Sequence, residues 1–281
     1  MSVIDLDGLL RRLHLPTIRR LYGELETRAE RDSMSYRDYL AVLMAEEVAH
    51  RSQTRIQRSC RKARFPFLVT IEEFDFTFQT SVRLSSLGSL LGAELVSEGR
   101  CAILLGPSGT GKTHLAIAIA YRAIQNGFEA RFVDANRLLE QLSLASHEGR
   151  LQEALVEYVH AHVLVIDEVG YLSHSSDAAN VLFHVVNERH LKRRPTVLTT
   201  NKPLASWGRV LHDADLAEAI LDRVLERGRV LELRGESYRT RHLAERRTKS
   251  ADKSAAVAGE DGFRKPARIS GIHRPEYLEP T

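Results

Sequence analysis

Residues 106–113 read GPSGTGKT, which fits the pattern G-x-x-x-x-G-K-[ST] with Gly106, Gly111, Lys112 and Thr113 at its fixed places. These residue types suit one task. Glycines at 106, 109 and 111 let successive backbone N–H groups approach phosphate oxygens, and a helix beginning near Lys112 aims the positive end of its dipole at the same anion. Lys112 then reaches the β and γ phosphates while Thr113 offers a hydroxyl to Mg²⁺. The predicted ATP cradle is therefore Gly106, Pro107, Ser108, Gly109, Thr110, Gly111, Lys112, Thr113 and His114. A glycine-rich turn without chemistry is the competing reading. The apolar run AILL before the loop and the helical pattern THLAIAIAYRAI after it argue against that.

A second acidic signal lies downstream. VLVIDE at 163–168 sets Asp167 and Glu168 at the carboxyl end of an apolar run, where an open parallel sheet presents its ligands. Asp167 is the expected second metal residue beside Thr113, and Glu168 the group that polarises an attacking water. An acidic loop start after a core strand is the bland alternative. Asn201, just after TVLTT, can reach a γ-phosphate or a lytic water, although asparagine after a strand also serves as an ordinary turn residue. Arg223 falls in a helical pattern, LDRVLER, where an arginine commonly lies on a solvated face.

Positioning these groups requires alternating strands and helices. Strand-length apolar runs occur at 102–105, 130–135, 163–167, 196–200 and 229–233, separated by amphipathic stretches. That alternation predicts an α/β core with a mostly parallel five-stranded sheet. Ahead of it, residues 1–68 carry helical spacing broken at Pro16 and around Asp32-Ser33, giving a small all-helical N-terminal domain. Residues 69–99 form a connector, with an extended FDFTF segment at 74–78 followed by one helix over Ser81–Ser97. The core domain spans 100–243, and the charged, Ser/Gly/Pro-containing stretch 244–281 reads as a disordered tail.

Bulk properties narrow the classes. The 281 residues hold 40 basic and 37 acidic side chains, so attraction to nucleic acid must come from local clusters and not from net charge. Cys60 and Cys101 lack metal or redox spacing and suit free thiols. No apolar run approaches the ~18 residues of a membrane span, and the N-terminus lacks a signal pattern, so the expectation is a soluble cytoplasmic protein. His160 and His162 flank the Asp167 strand without further ligands at metal spacing and read as structural. Phe74, Phe76 and Phe78 dock the connector on the core or wall an adenine pocket.

One basic segment stands out. Between Val48 and Ile71 no acidic residue occurs, while Arg51, Arg55, Arg58 and Lys62 fall along one helical stripe. Such a stripe can neutralise backbone phosphates of DNA with little sequence preference, or be a solvated face. Lys192, Arg193 and Arg194 form a weaker second candidate.

GPSGTGKTHLA, VIDEVGYL, TTNKPLASWGRV, AILDRVLERG and RGESYR, in this order behind a helical region, closely resemble the IstB-like ATP-binding proteins over residues 5–243. That family comprises helpers of insertion-sequence transposition related to the helicase loader DnaC. The resemblance implies an AAA+ fold, Mg²⁺-dependent hydrolysis of ATP to ADP and phosphate, and ATP-driven self-assembly on double-stranded DNA. It further implies delivery of target DNA to a partner transposase, which the helper stimulates, in a bacterial cytoplasm and on the nucleoid when DNA-bound. By the same resemblance Asn201 is the sensor residue, and Arg223 the arginine finger offered to a neighbouring subunit. No helical lid follows RGESYR, leaving Arg239 as the candidate second sensor. Two other readings remain open, a DnaC-like helicase loader and a P-loop small-molecule kinase, the latter requiring a second substrate pocket under a closing lid.

Overall fold

The structure, a computed structural model, describes residues 5–170 and 178–241. Three helices come first: α1 (Leu6–Arg12), α2 (Pro16–Arg31) and α3 (Tyr36–Ala63). Proline at the first position of α2 has the fixed φ a helix start needs. No residue at its own N-terminus caps it. Instead the Glu47 carboxylate, reaching over from α3, accepts from the backbone N–H groups of Thr17 (2.9 Å) and Ile18 (3.2 Å). Arg51, one turn along α3, donates to the same carboxylate at 2.9 Å. Burial alone would raise the Glu47 pKa, but the Arg51 bond and the two amides outweigh it and hold it below the usual range.

At 28 residues, α3 is about 42 Å long. Its first half closes a small cluster of Leu10, Ile18 and Leu43, and its second half brings Ile56, Cys60 and Ala63 against the main core. The connector departs from the sequence expectation. FDFTF is a series of turns and not an extended segment, because the Asp75 carboxylate accepts from the N–H groups of Thr77 and Phe78 and bends the chain back. The single helix expected over 81–97 is two, α4 (Leu84–Leu91) and α5 (Glu94–Ser97), interrupted at extended Gly92.

The core then alternates as β1 (Cys101–Leu105), α6 (Lys112–Gln125), β2 (Ala130–Asp134), α7 (Ala135–His147), α8 (Leu151–His160), β3 (Val163–Asp167), α9 (Ala178–Leu191), β4 (Thr196–Thr200), α10 (Trp207–Leu211), α11 (Ala214–Glu226) and β5 (Gly228–Glu232). The five strands form one sheet in the order β2-β3-β4-β1-β5, and every pairing is parallel. The last strand begins and ends one residue earlier than its apolar run suggested. Period-2 alternation divides the core. Ile103, Leu164, Ile166 and Leu198 face a layer that includes residues of α7, α8, α9, α10 and α11, whereas Ala102, Leu104, Val163, Val165 and Val197 face α6, α4 and the end of α3. With both faces covered, β3 and β4 are buried throughout, which suits the apolar run of β3 and the β-branched TVLTT of β4.

Arg189 of α9 has no exposed surface, and its guanidinium donates to the carbonyls of Tyr158, Ala161, His162 and Pro195 and to the Thr196 hydroxyl. It thereby ties α9 to the segments entering β3 and β4. Residues 5–170 and 178–235 belong to one compact unit, and residues 236–241 hold a single 3-10 turn, Tyr238–Thr240, which carries Arg239. The stretch 244–281 lies outside the described residues. No described helix is long and apolar enough to cross a membrane.

Candidate nucleotide site

The loop between β1 and α6 is shaped by two glycines. A Cβ on Gly106 would lie 2.1 Å from the carbonyl oxygen of Leu233, so only glycine lets this strand leave the sheet beside β5. Gly111 caps α6 at φ +94°, and a Cβ there would come within 2.6 Å of the Phe74 ring. Lys112, the first residue of α6, turns its Nζ back over the loop and donates to the Pro107 carbonyl at 2.7 Å. Thr110 donates to the same carbonyl at 2.9 Å. The buried Gln79 of the connector braces the loop from behind, its amide donating to the Thr110 carbonyl at 3.3 Å.

Strand parity explains what meets this loop. Val163 and Val165 point toward α6, so Asp167, two residues on, points there as well. Its carboxylate accepts from the Thr113 hydroxyl, 3.0 Å to each oxygen, and from the Thr199 hydroxyl of β4. Thr199 follows the same parity from Val197 and also accepts from the Glu168 N–H at 2.9 Å. The sequence pattern points past Thr199 to Asn201, the residue following the strand. The signal for Thr199 was the register, since Ile166 pairs with Leu198 and one further step along both strands sets Thr199 beside Asp167, where the hydroxyl meets the carboxylate.

Asp167 is 7% exposed. Burial raises its pKa, the hydroxyls of Thr199 and Thr113 draw it down, and the carboxylate of Asp134 on β2 raises it further. A buried carboxylate beside a threonine hydroxyl is a pair of hard oxygen ligands, and that donor set fits Mg²⁺. Glu168 leaves the strand with φ +60° and its side chain is exposed. Asn201 follows β4, the strand between β3 and β1, and its amide oxygen lies by Gly170 after β3.

The remaining predicted residues are not gathered here. The His114 ring meets the connector, with Nε2 3.0 Å from the Thr70 carbonyl and the Phe74 ring at 5.3 Å. Phe74 is buried against the core and packs edge-on to Phe76 at 4.8 Å, touching the loop at Gly111 on its other side. Arg223 on α11 is held by α9: its Nε donates to Asn187 at 2.8 Å and its guanidinium sits 4.7 Å above the Phe183 ring. Neither contact is a carboxylate.

The basic stripe divides in two. Arg51 is committed to Glu47 and the His14 carbonyl, and Lys62 pairs with Glu129 at 3.6 Å. Arg55 and Arg58 are exposed and make no ion pair among the described residues. In the second candidate run, Lys192 pairs with Glu188 at 2.8 Å and Arg194 donates to the Val159 carbonyl at 3.1 Å. His162 accepts from the Glu129 N–H at 3.1 Å, and burial, with Arg194 nearby, lowers its pKa. Both cysteines are free thiols.

A phosphate loop leaving β1, an interior strand of an all-parallel sheet, faced by an acidic strand end on β3 two strands away, defines an ATP-binding protein with the AAA+ P-loop fold. DnaI, a solved structure at 20% identity, shares that fold with a TM-score of 0.51 over 62% of this chain and 93% of its own. The family model for IstB-like ATP binding proteins matches residues 8–246, and the chain belongs to that family. Among its relatives are the ATP-binding protein of insertion sequence IS21 from Pseudomonas aeruginosa, 37% identical with 84% of this chain and 88% of the relative covered, and that of IS5376 from Geobacillus stearothermophilus, 36% identical with 86% and 96% covered.

Proposed function

We propose that this protein is a Mg²⁺-dependent ATPase that assembles on double-stranded DNA and delivers it as a target to a partner transposase, which it stimulates. The observation that carries this reading is the convergence of Thr113, Asp167 and Thr199 beside the loop, with Glu168 turned out of the strand next to them. The names of the insertion-sequence relatives support the context in which it acts.

Each residue has a role in that account. Backbone amides of 106–111 and Lys112 hold the β and γ phosphates. Thr113 and Asp167 hold Mg²⁺, which when bound neutralises phosphate charge. Glu168 orients and deprotonates the attacking water, and Asn201 reports on the γ-phosphate from the neighbouring strand. Arg223 stabilises charge on the phosphoryl group bound by an adjacent copy, which makes hydrolysis depend on assembly. Asn187 and Phe183 fix its guanidinium without neutralising it, leaving the charge available to a neighbour.

The test is turnover with and without duplex DNA. DNA should raise hydrolysis in the wild type, Glu168→Gln should bind ATP without turning it over, and Arg223→Ala should bind ATP normally while losing about 10³-fold in turnover. Normal turnover in Arg223→Ala removes the trans role.

A further inference from the structure

At the sheet edge opposite the phosphate loop, the end of α3, the start of β2 and the end of α8 enclose an open cleft of about 580 Å³. Ser59, Arg61 and Arg64 line one side, with Arg131 and Glu157 across from them. Glu157 faces two guanidiniums. Arg131, only 5% exposed, takes it at 2.6 Å and also donates to the Lys62 carbonyl, while Arg64 stands 3.3 Å away with more than half its side chain in solvent. One carboxylate cannot neutralise both, so the surplus charge is carried by the exposed Arg64. Arg61 is exposed and makes no ion pair among the described residues, like Arg58 and Arg55 before it.

We infer that Arg55, Arg58, Arg61 and Arg64, rather than the stripe that includes Arg51 and Lys62, form a track for the phosphodiester backbone of DNA, leading along α3 into this cleft; the inference rests on the DNA-binding part of the proposed function. Arg55, Arg58 and Arg61 lie at i, i+3 spacing, a ridge winding obliquely around α3, and Arg64 is the left-handed residue that caps its end. From Arg55 to Arg64 the track runs about 13 Å, a length over which a duplex presents about eight phosphate charges. A compact anion deep in the cleft would meet Glu157 and Glu129 on its lining, whereas an extended phosphodiester strand can follow the exposed guanidiniums of α3 that lead to it.

The test is duplex affinity of the full chain as a function of salt, with mixed-sequence DNA as the probe. Arg61→Gln combined with Arg64→Gln keeps both stems and removes both charges. The track predicts a log–log salt slope shallower by about two, so the affinity lost between about 50 and about 200 mM salt shrinks roughly tenfold. Glu157→Gln should act oppositely, steepening the slope by about one, because it frees a charge that a merely structural cluster would not deploy. Unchanged ATP affinity in both variants reports an intact fold. A wild-type slope in the double variant, or no steepening in Glu157→Gln, overturns the track while leaving DNA binding itself standing. A wild-type chain that binds no duplex at any salt overturns both.

Discussion

The Thr199 hydroxyl stands between two functions, donating to Asp167 while accepting from the Glu168 amide. Replacing it with valine keeps the volume, removes one of the two hydroxyls that donate to the buried Asp167 carboxylate and takes the acceptor from the Glu168 amide, which costs about 1–3 kcal/mol if left unsatisfied. Thr199→Val should therefore fold with a lowered melting temperature and lose about ten- to a hundredfold in Mg²⁺-dependent turnover, as disturbed partners of a metal ligand do. Titrating Mg²⁺ in the assay checks this, and a Mg²⁺ dependence equal to wild type argues against the role. Glu47 offers a pH test at the same scale. Its pKa is depressed on folding, so its contribution is present above the ordinary glutamate range and fades as pH falls through the folded value. Melting curves from pH 7 down to about 4 should fall more steeply for wild type than for Glu47→Gln. Parallel curves would show that the α2 cap does not depend on that charge.

Among the elements, α9 does two jobs. Arg189 anchors it to the segments entering β3 and β4, and Asn187, half a turn away, holds Arg223. Asn187→Ala should leave ATP affinity intact and lower kcat about ten- to a hundredfold, since a misaimed arginine fails only when phosphoryl charge develops. A raised KM with kcat unchanged would assign Asn187 to packing. All five strands were legible from short runs of strand length, most plainly β3, which is buried on both faces of the sheet. The FDFTF turns were not legible, since the alternation of aromatic and polar residues there reflects docking of Phe74 and Phe76 on the core, with Asp75 closing the turn that runs through Phe78. The Ser81–Ser97 stretch has helical spacing throughout, and periodicity alone does not reveal that Gly92 adopts an extended backbone.

For the whole molecule, the phosphate loop and the acidic strand end were readable because their chemistry is local, a few residues at fixed spacing. The ion pairing of the basic segment was not readable, because its partners are distant. Glu129 and Glu157 lie far along the chain from α3, so their pairing with Lys62 and Arg64 cannot be seen from the acid-free segment itself. The proposed function requires ATP to convert this chain into an assembly on DNA. The most direct measurement is sedimentation velocity of the purified chain with a duplex, with and without ATP and Mg²⁺. The account predicts large, DNA-containing assemblies only when all three are present, lost in Lys112→Ala. A chain that stays monomeric when saturated with ATP and mixed with duplex would contradict it.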